Sequence, residues 1–109
     1  MKNLMTMFLC SCVAASQTLM AASQLTEIKI EDDIVYFTTK EILTTTVTCV
    51  LTENIGRWAF TLRSTNGKGI HLALMTAATS GQKISVTSAN DCHDKNGFER
   101  PLSVSVFNH

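Results

Sequence analysis

Only one stretch of this chain carries a helical period, and it limits how everything else can fold. Gly67 to Cys92 reads GKGIHLALMTAATSGQKISVTSANDC. Within it Ile70, Ala73, Leu74, Ala77 and Ala78 recur at the i, i+3, i+4, i+7, i+8 spacing of one buried helix face. Ala, Leu and Met favour the helix intrinsically. Asn66 is a candidate N-cap, its side chain accepting a free backbone N–H. Gly81 suits the left-handed position that stops a helix. Gly67 and Gly69 weaken the first turn, so a start a few residues further in is expected. Leu72 and Met75 fall on the opposite side with His71, Thr76 and Thr79. A second apolar strip is therefore left over once the first is buried, and Leu72 and Met75 are expected to face a neighbouring subunit or a bound partner chain.

Outside that helix the pattern is alternation. Ile28 and Ile30 share one side of Leu25–Ile30, with Glu27 and Lys29 on the other, and Glu31-Asp32-Asp33 reads as a turn into a second strand at Ile34–Thr38. A third strand is expected over Thr44–Leu51, with Val47, Cys49 and Leu51 on one face. After a turn at Glu53–Gly56, Arg57–Arg63 points Trp58, Phe60 and Leu62 inward and Arg57, Thr61 and Arg63 outward. Beyond the helix, Ile84 and Val86 face in from Lys83–Ser88. A polar loop from Asn90 to Gly97 follows, and Pro101 opens a last strand in which Leu102, Val104 and Val106 alternate with serines. One-sided alternation is the mark of antiparallel sheet with one wet face. The predicted order is β-β-β-β-α-β-β, a mainly β chain with one helix, closed as a small barrel or half-open sandwich.

The first residues read as a targeting segment. Lys2 supplies a positive start, Leu4–Ala15 is apolar but too short to span a bilayer, and small residues at Ala21-Ala22-Ser23 suit signal peptidase. A signal peptide over 1–22 is expected, cleaved between 21 and 24, leaving a single domain over 24–109 and no transmembrane segment in the mature chain. Leu9-Cys10-Ser11-Cys12 is a weaker lipobox-like alternative. Cleavage removes Cys10 and Cys12. Cys49 and Cys92 then remain as an even pair in an oxidising compartment, and a disulfide between them is expected. A domain this small buries a modest core and benefits from the staple.

Enzyme chemistry would have to come from the polar residues. Asp91-Cys92-His93-Asp94 is the densest cluster. A Cys–His nucleophile needs a free thiol, and a metal site needs locally spaced ligand pairs that this run lacks. A solvated disulfide loop is the preferred reading, with no catalytic residue, metal or other cofactor assigned. Gly67-x-Gly69 lacks the rest of a phosphate loop. Formal net charge is zero, and no basic patch stands out, so no nucleic-acid partner is expected. Trp58, Tyr36 and Phe37 are candidate sugar-stacking residues, but Trp58 alternates in phase with Phe60 and Leu62 and is assigned to the core.

The helix, the step Thr79-Ser80-Gly81-Gln82-Lys83-Ile84-Ser85-Val86 and then Cys92 together resemble the B subunits of AB5 bacterial toxins of the subtilase-cytotoxin and typhoid-toxin type. They are also similar to small exported bacterial proteins of unknown function. The stretch from Trp58 to Val106 carries the likeness, while Gln24 to Leu51 matches in strand order only. The resemblance implies an OB-fold-like antiparallel barrel, a homo-oligomer (a pentamer with helices lining its centre) and a cell-surface glycan as partner. The family has more cysteines and more aromatic residues near its helix, and its serine-containing sugar site has no counterpart here, which leaves the ligand-binding residues unassigned. The expectation is thus an exported, secreted or periplasmic, non-enzymatic binding module, in its sharp form a glycan-binding toxin-type B subunit. The alternative is a small periplasmic structural, interaction or inhibitor protein that binds no sugar.

Overall fold

A computed structural model describes residues 22–42 and 47–107. The targeting segment with Cys10 and Cys12, the first residues of the expected third strand (44–46) and the terminal His109 lie outside the described residues. Five strands and one helix form: β1 (Ser23–Glu31), β2 (Ile34–Thr39), β3 (Arg57–Thr61), α1 (Thr65–Ser80), β4 (Lys83–Ser88) and β5 (Pro101–Phe107). The strands lie in one antiparallel sheet of order β3-β2-β1-β4-β5. The sheet curls back on itself. Trp58 bridges Glu99 in parallel, and Ala59 N–H donates to the Glu99 carbonyl at 3.0 Å, so β3 lies against the chain entering β5. Mainly β with one helix is the class the alternation predicts. With β3 against the chain entering β5, the five strands make a partly open antiparallel barrel, the helix falling between the third and fourth strands.

Local chemistry explains each joint. Asp32 and Asp33 both take positive φ, 53° and 64°, the two-residue primed turn that matches the twist of a tight hairpin between β1 and β2. Side chains of alternating residues then meet the helix. Val35, Phe37, Trp58, Phe60, Ile84 and Val86 from the sheet bury against Ile70, Leu74 and Ala77 of α1. Phe37 stacks on its cross-strand partner Trp58 at 6.1 Å and meets Phe60 edge-on, so Trp58 and Phe37 are core residues.

Four expectations require correction. The third strand over Thr44–Leu51 does not form in its described part. Thr48 and Cys49 make a turn, Leu51 is 51% exposed, and a 3-10 turn at Thr52–Asn54 follows. β2 has β1 on one side and β3 on the other, so neither edge of β2 is open to this run, and tertiary pairing overrides its β-propensity. Secondly, α1 starts before its glycines. Ser64, not Asn66, is the N-cap, its Oγ accepting from Gly67 N–H at 2.9 Å. Asn66 instead donates from Nδ2 to the Leu102 carbonyl and ties the helix to β5. Thirdly, Ala78 is exposed, because the buried stripe at 67-70-74-77 is one residue wide per turn. Lastly, Ile30 (51%) and Leu102 (50%) are exposed although their strand phase is right, since β1 and β5 extend past the core. Gly81 stops the helix at φ 71°, as expected.

Candidate functional site

On the outer face of β1, β2 and β3 the alternation that fills the core also builds a cleft of about 200 Å3. Residues opposite in phase to Ile28, Val35 and Phe37 line it: Glu27 and Lys29 from β1, Tyr36 and Thr38 from β2, and Arg57 from β3. Phe98 reaches in from the β4–β5 loop and meets Tyr36 edge-to-face, with centroids 5.1 Å apart. Lys29 Nζ lies 5.4 Å from the Tyr36 centroid and 3.6 Å from Glu31 at the cleft's end. Both contacts are exposed and contribute little individually. The Thr26 and Thr38 hydroxyls share a hydrogen bond of 2.7 Å. Two carboxylates, Glu27 and Glu31, balance two cations, Lys29 and Arg57. The cleft is therefore an aromatic pair framed by mixed, self-neutralising polar groups.

Phe98 holds its place because the loop carrying it is braced along its length. Cys92 is bonded to Cys49, the Cα atoms 6.1 Å apart, as the cysteine arithmetic predicts. Cys49 sits on an exposed turn and not on the inward face of a strand, so the bridge joins loop to loop. Leu51 N–H and buried Asn54 Nδ2 both donate to the Gly97 carbonyl, each at 3.1 Å. Asp94 accepts from Thr61 N–H at 3.0 Å. Asp91 takes two hydrogen bonds from the Arg100 guanidinium, at 2.8 and 2.9 Å. The residues of the Asp91-Cys92-His93-Asp94 run are thus engaged in bracing. At the base of the loop Glu99, 4% exposed, accepts from the Ser88 hydroxyl.

The Arg100 hydrogen bonds, aided by His93 N–H and opposed by partial burial, lower the Asp91 pKa to about 2 from 3.8. A carboxyl depressed on folding adds stability above its unfolded value and loses it as pH falls through the folded one. Stability of the wild type is expected to decline between about pH 4 and about pH 2. Asp91→Asn should remove that part of the decline, read as a flatter dependence of melting temperature on pH by circular dichroism.

A second surface is apolar. Between β1 and α1 runs a groove of about 540 Å3, lined by Leu25, Ile28, Ile30, Met75 and Ala78 together with Thr26 and Glu27. Leu72 (70% exposed) and Met75 (41%) stand uncovered on α1, where the helical phase puts them. No group of three or more His, Cys, Asp or Glu positioned to hold a metal occurs among the described residues, nor is any helix there long and apolar enough to cross a membrane. The alternation put Arg57 on an outward face and Tyr36 was a candidate stacking residue, but Phe98 was missed. Its only signal was a lone aromatic in a polar loop.

Compared with protein-family models, curated proteins and solved structures, the chain matches none of them.

Proposed function

We propose that this protein is an exported, non-enzymatic binding module that takes a saccharide in the cleft beside Tyr36 and Phe98. The observation carrying this reading is the aromatic pair set among Glu27, Lys29, Thr38 and Arg57. Sugar rings offer apolar C–H faces to aromatic side chains and hydroxyls that both donate and accept, so they suit a platform ringed by mixed charges. OB folds bind oligonucleotides and oligosaccharides on this face, with the β4–β5 loop contributing. Balanced charge argues against the nucleotide option, since a phosphate backbone is tracked by a cationic groove. The volume suits one ring, below the range of pockets that enclose larger ligands.

Export is supported by the disulfide, which persists in oxidising compartments. Ser23 is buried and paired with Ile84, so cleavage that leaves β1 whole falls before Ser23. The sharp form of the reading is the toxin-type B subunit, in which a ring of copies multiplies a weak site on a glycan coat. Leu72 and Met75 would then face a neighbour or a partner chain. The apolar groove favours the second reading, a small periplasmic interaction or inhibitor protein without sugar binding.

The test is a saccharide screen followed by NMR titration of the wild type, Tyr36→Ala and Phe98→Ala. Binding that shifts the resonances of Lys29, Tyr36 and Arg57, and weakens about tenfold or more in each variant, is the expected result. A screen with no binder, or a binder unaffected by either substitution, would exclude the cleft as a sugar site.

A further inference from the structure

The sequence holds two Asn-Gly pairs, Asn66-Gly67 and Asn96-Gly97. This dipeptide is prone to react with itself, because glycine has no Cβ to keep its backbone nitrogen away from the asparagine side chain. The fold treats the two pairs differently. Asn66-Gly67 lies in the first turn of α1. There Gly67 N–H donates to Ser64 Oγ at 2.9 Å and Asn66 Nδ2 donates to the Leu102 carbonyl at 3.1 Å, so both reacting groups are held. Asn96-Gly97 is the tip of a turn closed by Phe98 N–H donating to the Lys95 carbonyl at 3.1 Å. Gly97 takes φ 87°, which a type II turn needs at that position. Asn96 is exposed, at the open hollow beside the disulfide. Among the described residues its side chain has no hydrogen-bond partner, and the peptide joining it to Gly97 has none at its carbonyl or its N–H.

We propose that Asn96-Gly97 is a self-modification site, at which Asn96 becomes isoaspartate and loosens the loop that carries Phe98. Hydroxide takes the proton of Gly97 N–H, the nitrogen bonds to Asn96 Cγ, and the Cγ–Nδ2 bond breaks. Ammonia leaves with a proton drawn from water. Water then opens the five-membered imide. Attack at the main-chain carbonyl of Asn96 leaves Gly97 N on Cγ, which is isoaspartate; attack at Cγ gives aspartate. One water is consumed, one ammonia is released and nothing is oxidised. The 96–97 peptide can turn toward Cγ because no hydrogen bond opposes its rotation and Gly97 tolerates the change of φ. Isoaspartate adds a methylene to the main chain, roughly 1.5 Å of extra length. That length enters a tightly tied place. The Gly97 carbonyl is fixed by Leu51 N–H and by Nδ2 of Asn54, which is 8% exposed, and Phe98 N–H is fixed by Lys95. At least one of these ties gives way, next to the ring that meets Tyr36. The site stands whether or not the cleft takes a sugar.

The purified protein, kept folded for several days at mildly alkaline pH, tests the chemistry beside a sample kept in urea. Peptide mass spectrometry with electron-driven fragmentation separates isoaspartate from aspartate at each pair. In the folded sample Asn96 should convert about tenfold faster than Asn66 or more, since two hydrogen bonds must first break at Asn66. In urea the two should convert at similar rates. The isoaspartate form, isolated by ion exchange, should show faster hydrogen exchange at the Leu51 amide and a weakened Tyr36–Phe98 contact by NMR. Asn96→Asp adds the charge without the methylene and should keep both as in the wild type. The proposal is overturned if Asn96 stays intact in the folded protein, if Asn66 converts as fast, or if the difference persists in urea. It is equally overturned by an isoaspartate form that keeps both signals, or by Asn96→Asp losing them.

Discussion

Replacing Cys49 and Cys92 together by alanine is expected to cost about 4 kcal/mol and to lower the melting temperature by about 15–30 °C. The bridge spans a sequence separation of 43. For a closed loop of that size the chain-entropy account gives a value near this one. The bridge also holds a region that contributes little to the core. Leu51 and Ile55 are about half exposed, and the chain between β2 and β3 has no strand partner among its described residues. Two hydrogen bonds to the Gly97 carbonyl also tie the loops together. They are worth about 1 kcal/mol each and cannot replace the covalent link. Calorimetry or circular dichroism of the double variant checks the effect. A shift under about 5 °C would mean that packing and hydrogen bonds alone hold the loops.

Alanine at Gly67 and at Gly69 should act in opposite directions, although the two glycines share one helical turn. A Cβ on Gly67 would stand 1.8 Å from the Thr61 carbonyl oxygen, a backbone atom at the end of β3. The oxygen cannot turn aside as a flexible side chain does, so helix and sheet must separate. Gly67 N–H also donates to the Ser64 cap, so the displacement reaches the helix start. Gly67→Ala should cost about 3 kcal/mol or more. A Cβ on Gly69 meets nothing within 4 Å. There alanine restricts the unfolded chain and improves helix propensity, a gain of about 0.5–1 kcal/mol. Urea unfolding of both variants beside the wild type measures the pair. Equal signs would show that the approach of α1 to β3 is looser than the structure has it.

The mechanism by which Gly67 acts shows where sequence reading stops. As a bare glycine it reads as a weak helix start, and the expectation moved the helix inward accordingly. In the fold it is the residue that lets α1 dock on β3, and Ser64 becomes the cap because the chain leaves β3 at that point. The described part of the expected third strand, 47–51, forms no strand for a related reason. Its alternation is as good as that of Arg57–Arg63, but a strand needs an open edge, and edges are allotted only when the whole sheet assembles. The cleft divides in the same way. Arg57 was legible by parity, because a strand sends alternate side chains to opposite faces. Phe98 was not, because a loop side chain has no period and its partner lies across the molecule on β2.

The sequence by itself determined what depends on near neighbours. It set the turn at Asp32-Asp33, the inward phase of Trp58, Phe60, Ile84 and Val86, and the buried stripe of α1 with Leu72 and Met75 left outside. It also set the pairing of the two cysteines left after Cys10 and Cys12 are assigned to the signal. Only the tertiary structure decided that five strands and not six form among the described residues, that Ser64 caps the helix, that Ile30 and Leu102 lie beyond the core, and that Phe98 meets Tyr36. Backbone geometry and side-chain period act over a few residues and are written along the chain. Strand edges, close approaches and the reach of a braced loop exist only once distant segments have been brought together.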